Sequence, residues 1–343
     1  MRVAVIGAGV LGSAATAFLL DDGVDVVCYE AVAPMSQRSA GSSRIFRLAH
    51  GKPELVALAR DSLEIYRQWG KQTGDRLVSD AGTVVTGPQV EEWATAMSAA
   101  GAEYRITQGL DLPILSVPGP VLVDPAGGVL DAAGAGRYLQ ARITRAVVLE
   151  RVARLEHHNG GTRVWSTGGR RDFDATVICA GASTATLAAQ VGIDISGALA
   201  HHVRFTFPLR DAAARPPCLL EGSGTWRPGF TTYQHLAGPG LWAVGAHLPA
   251  DEVAWGRGRD RVAASAREAT VAYVRGALRG VGDRPVGELY CTHASNSGDG
   301  YTVQRSGVFL ALHGDNLFKL APVLGRMLAK AAQTGSMASP RQL

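Results

Sequence analysis

Cysteine is scarce in this 343-residue chain. The four present, Cys28, Cys179, Cys218 and Cys291, are too few for a disulfide framework, and none stands in a CxxC pair or a Cys/His cluster with metal-ligand spacing. Lys and Arg form no run beyond the single pair Arg170-Arg171. The formal net charge is +4 with the basic residues scattered, so the clustered face that nucleic acid requires is missing, whereas an anionic cofactor or substrate suits a mild basic excess. Internal repeats, low-complexity tracts and long linkers are absent as well. The 42 glycines follow no G-X-Y period, which excludes a collagen-like rod and points to tight turns and close backbone approaches. With 46% hydrophobic and 19% charged residues, the chain can bury a large core, and its length suits about two domains.

The uncharged run of residues 3–20 (VAVIGAGVLGSAATAFLL) is broken by three glycines, a serine and a threonine. It reads as strand, turn and helix rather than as a signal peptide or a membrane span. The expectation is a cytoplasmic protein with neither membrane nor nucleic acid as partner.

Residues 2–6 read as a buried strand, 7–12 as a turn, 11–21 as a helix and 25–30 as a second strand, together a parallel βαβ unit. Helical periodicity covers 53–70, with Pro53 suited to the first turn, and helices are also expected over 90–100, 132–144, 261–279 and 318–333. Strands are expected over 77–87, 147–155, 162–166, 174–181, 201–207, 230–247 and 307–312, with 123–131 a turn cluster. The α/β signal thus comes in three pieces separated by antiparallel stretches. The fold class is α/β, a Rossmann-like dinucleotide domain (1–75, 128–195 and 293–335) interleaved with an antiparallel-sheet α+β substrate domain (76–127 and 196–292), and 336–343 a C-terminal tail.

Gly7-Ala8-Gly9-Val10-Leu11-Gly12 is a GxGxxG sequence. Gly7 permits the tight turn, Gly9 lets a pyrophosphate approach, and Gly12 lets the helix lie close to the strand, while the helix N-terminus offers N–H groups to phosphate. Glu30, 18 residues beyond Gly12, can accept hydrogen bonds from ribose hydroxyls and argues against a 2′-phosphate. The motif alone fits FAD or NAD; its N-terminal position, with α/β pieces returning at mid-chain and at the end, favours FAD.

The segment 41–69, GSSRIFRLAHGKPELVALARDSLEIYRQW, resembles the D-amino-acid-oxidase-like flavoproteins, nearest the branch of monomeric sarcosine oxidase and N-methyl-amino-acid oxidases. The glycine motif, Glu30, the turn at 123–131, DATVICAGAST (174–184), and Cys291 with GVFLALHGDNLFKLAPVLG (307–325) are similar to the same family, and only 185–290 matches loosely. The resemblance implies extended FAD, with Gly7, Gly9, Val10, Leu11, Gly12, Glu30, Ser42, Ser43, Arg44, Val152, Ala180, Gly181, Cys291, Gly314, Asn316, Leu317, Phe318 and Lys319 around it. It implies oxidation of a C–N bond in an amino or imino acid to an imine, with dioxygen as acceptor and peroxide as product. A dehydrogenase with another acceptor and a degenerate flavin-binding module stay open as alternatives. By the same resemblance Arg44 lies near the flavin ring, Arg47 and Lys319 hold the substrate carboxylate, and Cys291 carries a thioether to the flavin. His293 and His247 are acid/base or pocket candidates, and Tyr233, Trp242 and His313 line the pocket. Departures are Ala243 where relatives carry a lysine that activates dioxygen, Ala40 for a histidine, and Asp315-Asn316-Leu317-Phe318 for GHGF. Loss of a cation at 243 is expected to slow reoxidation by dioxygen.

Overall fold

The computed structural model describes residues 1–294 and 300–336. The expected tail therefore lies outside the described residues except for its first member. The chain forms two compact units, one of Met1–Ala40, Ala133–Gly197 and Ala294–Leu343, the other of Gly41–Ala132 and Ala198–His293.

In the first unit a six-stranded sheet runs in the order Tyr301–Ser306, Phe309–Gly314, Ala175–Ile178, Arg2–Ile6, Asp25–Tyr29, Val147–Val148. Its strands are parallel except for the antiparallel hairpin at one edge. Val3, Ala4 and Val5 are fully buried, as a central parallel strand covered on both faces must be. The chain leaves this strand toward Asp25–Tyr29 through the helix Val10–Asp21, whereas Ala175–Ile178 pairs on the other side. The strand order thus reverses at Arg2–Ile6, and ligands of open α/β sheets bind at the carboxyl ends of the strands at such a point. The last helix, Ala321–Thr334, packs on Val10–Asp21. A Cβ at Gly325 would meet the Ala14 Cβ at 2.5 Å, so the missing side chain sets that contact.

The second unit is built on an eight-stranded sheet, in the order Gly287–Ala294, Leu199–Pro208, Leu241–His247, Thr231–Gly238, Cys218–Glu221, Thr83–Thr86, Ser116–Asp124, Arg105–Asp111. Period-2 alternation divides its central strands. Val203, Phe205, Phe207, Trp242, Val244 and Ala246 join one apolar core with Ala266, Tyr273 and Val274 of the helix Arg259–Ala277. The alternate residues, among them His202, Arg204, Tyr233, His235, Ala243 and His247, take the opposite face.

Several expectations are corrected. Residues 41–75 and 128–132, given by sequence to the dinucleotide domain, group with the second unit. The cause is pairing: Ser43–Phe46 forms a ladder with Gly128–Asp131 and packs on Thr231–Gly238, and the helix Pro53–Thr73 packs on Val90–Ala99. The strand expected over 77–87 shrinks to Thr83–Thr86 plus a bridge from Val78 to Leu130. The one expected over 147–155 splits between two sheets. The last helix begins at Ala321, after a 3₁₀ turn Leu317–Leu320, with proline in its first turn. Ser43–Phe46, Arg105–Asp111, Ser116–Asp124, Cys218–Glu221, Gly287–Ala294 and Tyr301–Ser306 are strands that the sequence did not declare. Among the described residues no helix is long and apolar enough to cross a membrane.

Candidate active site

At the carboxyl end of Arg2–Ile6 the glycine motif forms a bare cradle. Gly7 has φ +100°, and a Cβ there would meet the Cys179 carbonyl oxygen at 2.5 Å and the Ala180 Cα at 3.1 Å. The first-strand turn is thereby pressed against the loop holding Ala180 and Gly181, two residues expected near the cofactor. Gly9 is the N-cap of Val10–Asp21 and brings no side chain, so that a Cβ placed on it would find only Ser39 Oγ, at 3.1 Å. The Val10 N–H donates to that oxygen at 2.9 Å. Ser39 is a member of the cradle that no motif signalled. The Glu30 carboxylate accepts from the Ala8 N–H and the Val32 N–H, both at 2.9 Å, and so fixes the turn while keeping lone pairs for a hydroxyl donor. Bare glycines, a helix N-terminus and a carboxylate at the end of the second strand fit the adenosine and pyrophosphate of a dinucleotide.

Farther along the first unit, Asp315 is ion-paired with Arg38, whose guanidinium also donates to the Gly314 carbonyl at 3.3 Å. Asn316 adopts a left-handed conformation, φ 54°. The turn it opens buries Leu317, Phe318 and Lys319, and Lys319 Nζ donates to the Asn316 carbonyl at 3.1 Å. Val152 opens Val152–His158 and packs on the core of this unit. His313 sits on Phe309–Gly314, opposite Thr302.

The second unit carries Arg44, Arg47, His247 and His293. Arg44 lies on the short strand Ser43–Phe46 and donates to the Ser43 carbonyl at 2.8 Å. Ser42 Oγ donates to the Ala237 carbonyl at 3.0 Å. Arg47 is buried, with its guanidinium on the Trp93 ring (4.5 Å to the centroid), 3.0 Å from His50 Nδ1, and donating to the Ala49 carbonyl. Burial pulls its pKa down to about 9, and the Asp124 charge opposes that fall. Asp124, fully buried, accepts N–H bonds from Leu48, Ala49, Ala126 and Gly127. Burial nevertheless raises its pKa.

On the polar face of the sheet, His202 stands at ring-centroid distances of 5.4 Å from Tyr233, 6.4 Å from His247 and 6.0 Å from His293. His247 is exposed and pairs with Thr231 Oγ1 at 2.9 Å. Cys291, half-buried on Gly287–Ala294, lies close enough for its charge to act on Arg204. Ala243 is fully buried, directly across from His235. Trp242 is a correction: it points into the core, where its indole N–H donates to Gln234 Oε1 at 2.8 Å, and lines no pocket.

His235 and Arg204 went unnoticed in the sequence. Arg204 Nη1 donates to the Ser43 carbonyl at 3.1 Å and lies 2.9 Å from His235 Nε2. A guanidinium only donates, so Nε2 is the acceptor and the ring proton sits on Nδ1. Burial, reinforced by the charges of Arg204 and Arg44, keeps the His235 pKa well below its ordinary value, so the ring stays neutral. The unfolded chain gains a proton at His235 below about pH 6.5 and the folded one does not. Its contribution to stability is therefore complete above that pH and is lost on acidification, at up to ~1.4 kcal/mol per pH unit. Asp124, with its pKa raised, has the opposite sign, because the folded protein takes up that proton first. The urea midpoint is expected to fall between about pH 6.5 and 5 and His235→Gln to flatten that slope; an unchanged slope would remove His235 as its source.

A family model for FAD dependent oxidoreductases, DAO, matches residues 2–331. The chain belongs to that family. FAD is the family's cofactor, and the glycine cradle suits its adenosine end. Monomeric sarcosine oxidase of Bacillus sp. (strain B-0618) is 26% identical over 211 residues, 56% of this chain and 54% of that protein. N-methyl-L-tryptophan oxidase of Yersinia pestis (strain Pestoides F) is 26% identical over 194 residues, 52% of each. The alignments thus span about half the length of these curated relatives. In fold the chain is similar to NikD, an unusual amino acid oxidase essential for nikkomycin biosynthesis, with TM-score 0.82, 18% identity and coverage of 98% of this chain and 95% of that one. It is also similar to L-proline dehydrogenase from P. horikoshii, with TM-score 0.76, 15% identity and coverage of 98% and 94%.

Proposed function

We propose that this flavoprotein oxidises the C–N bond of a secondary or N-substituted amino or imino acid to an imine, with dioxygen as the terminal acceptor. The carrying observation is the cradle of Gly7, Gly9, Gly12 and Glu30 at the switch point of the parallel sheet, in a chain whose family match runs almost end to end. The sarcosine and N-methyl-tryptophan oxidases among its relatives support N-substituted amino acids as the substrate class.

Bound FAD would supply a two-electron acceptor. Oxidation of the amine to the imine releases two electrons and two protons, which dioxygen would finally receive as peroxide, and water would hydrolyse the imine. The chain's contribution is to bind, orient and desolvate. The glycine turn and Glu30 hold the dinucleotide, and Lys319, buried in its turn, is the cation this reading sets against negative charge on the reduced ring. His202, Tyr233, His247 and His293 offer donors and aromatic surface to the substrate.

Ala243 favours a second reading, a dehydrogenase, because an apolar methyl stands at that point of the polar face. Anaerobic titration with sarcosine, N-methyl-L-tryptophan and L-proline should bleach the visible flavin band, and none doing so would overturn the proposal. Stopped-flow reoxidation separates the acceptors: rapid recovery with dioxygen supports the oxidase, and recovery with a quinone dye alone the dehydrogenase. A thioether at Cys291 is a further part of the reading. Acid-precipitated protein is expected to stay yellow and Cys291→Ala to release the colour into the supernatant; a colourless wild-type pellet would exclude the link.

A further inference from the structure

We propose that Arg204 is the carboxylate receptor of the second unit, gripping the acid group of the substrate through the Nε and Nη2 edge of its guanidinium. The inference rests on the amino-acid reading above and names the residue that reads the acid.

Arg204 is 6% exposed, and an arginine so buried ordinarily has a carboxylate beside it, because an unpaired ion in a protein interior is costly. Arg47 obeys that rule, since Asp124 acts on it. Arg204 does not: among the described residues no carboxylate lies within ion-pair distance, and the groups acting on its charge are Tyr233 and Cys291. Its hydrogen bonds all leave from Nη1, toward the Ser43 carbonyl and His235 Nε2. Nε is buried with no partner, and Nη2 makes no hydrogen bond among the described residues. Nε–H and the adjacent Nη2–H are parallel, and this side of the fork matches the two oxygens of a carboxylate.

The surroundings lack an acceptor as well. His235 Nδ1, which carries the ring proton, and Ser43 Oγ are both buried without a partner. Both residues bond to Arg204 through other atoms. One connected cluster thus holds three unspent donor groups around a positive charge. Gly41, at φ +102°, sets bare backbone beside this cluster: a Cβ there would stand 2.9 Å from Leu289 Cδ2, 3.0 Å from Arg44 Nη1 and 3.7 Å from Arg204 Nη2. Arg204 also shares the polar face of the sheet with Tyr233, directly across from it through Gly245. Arg47, whose guanidinium is held by Ala49, His50 and Trp93 and offset by Asp124, is left the structural part.

The test uses the flavin-loaded protein with benzoate and acetate as carboxylate probes, and benzamide and acetamide as their neutral counterparts. Binding is read by the shift in melting temperature and by the visible difference spectrum. In the wild type the carboxylates should bind and raise the melting temperature more than the amides. Arg204→Gln should weaken carboxylate binding by about 10- to 100-fold and leave the amides unchanged. Arg204→Lys should fall between, since an ammonium restores the charge without the fork. Equal loss for acids and amides, full carboxylate affinity in both variants, or no carboxylate binding by the wild type would overturn the assignment. So would a selective loss in Arg47→Gln with none in Arg204→Gln. Should the purified protein hold no flavin, the reading as an oxidoreductase fails, while the melting shifts still report on Arg204.

Discussion

Asp124→Ala is expected to lower the free energy of unfolding by about 3–5 kcal/mol, because it leaves backbone N–H donors buried without their acceptor, each at about 1–3 kcal/mol. The carboxylate ends the strand Ser116–Asp124 and ties two loops to it. Oδ2 accepts from Leu48 N–H at 2.5 Å and Ala49 N–H at 3.1 Å, and Oδ1 from Ala126 and Gly127 N–H, both at 3.1 Å. Removing it strands four donors and takes away the Asp124 charge, which opposes the effect of burial on Arg47. Urea denaturation checks the effect through a lower midpoint with an unchanged slope. Asp124→Asn keeps an acceptor but not the charge, and should fall between. The double variant Asp124→Ala/Arg47→Leu should recover part of the loss, because the buried cation on which the Asp124 charge acts is removed with it. A change below about 1 kcal/mol for Asp124→Ala, within the range of ordinary substitutions, would show that the loops hold without it.

That clasp illustrates what the sequence conceals. The glycine cradle was legible because each of its requirements is local: a turn, a bare N-cap, a close helix and an acid a fixed distance on. Buried strands such as Arg2–Ile6 and Ala175–Ile178 were legible as short apolar runs. Ser116–Asp124 was not, since Pro118, Gly119 and Pro120 interrupt its alternation, and Arg105–Asp111 pairs with it as an exposed edge strand. The polar face of the large sheet was half visible. Tyr233, His247, Cys291 and His293 were singled out one at a time, yet what joins them is the pairing of the hairpin Thr231–His247 with Leu199–Pro208 and of that strand with Gly287–Ala294. Arg204 looked like one more scattered base, because the reason to notice it, the absence of an acid beside it, is a fact of three-dimensional neighbours. Asp124 and His235 were hidden for the same reason. The domain boundary misled because Ser43–Phe46 follows the dinucleotide motif in sequence but pairs with Gly128–Asp131 of the other unit.

Gly12→Ala is expected to abolish stable flavin binding, with affinity for FAD falling at least ~100-fold, a loss of the size that misplacing a binding constellation by about an ångström produces. Gly12 lies in the first turn of Val10–Asp21, where alanine costs nothing conformationally and is the better helix former. The objection is steric. A Cβ there would run into the Gly7 carbonyl oxygen, and would also stand 3.1 Å from the Gly7 carbonyl carbon and 3.3 Å from Val5 Cγ1. Neither the strand nor the turn can yield, because the Gly7 N–H is held by the Tyr29 carbonyl at 2.7 Å and the Ala8 N–H by Glu30. The helix must therefore withdraw, carrying its N-terminal N–H groups away from the phosphates. Gly9→Ala is the informative contrast. Its Cβ would meet only a serine side-chain oxygen of the protein, at 3.1 Å, which can rotate aside, so the turn keeps its shape and the loss of FAD in this variant reports on the approach of the pyrophosphate to bare backbone. The ratio of visible to ultraviolet absorbance in purified protein and the quenching of FAD fluorescence on titration measure both variants. If Cys291 proves to be a covalent anchor, the comparison belongs in a Cys291→Ala background, where retention reports on the cradle alone. Equal flavin content in Gly12→Ala and wild type would mean that the helix tolerates the methyl group, and that close packing of this turn is not what holds the cofactor.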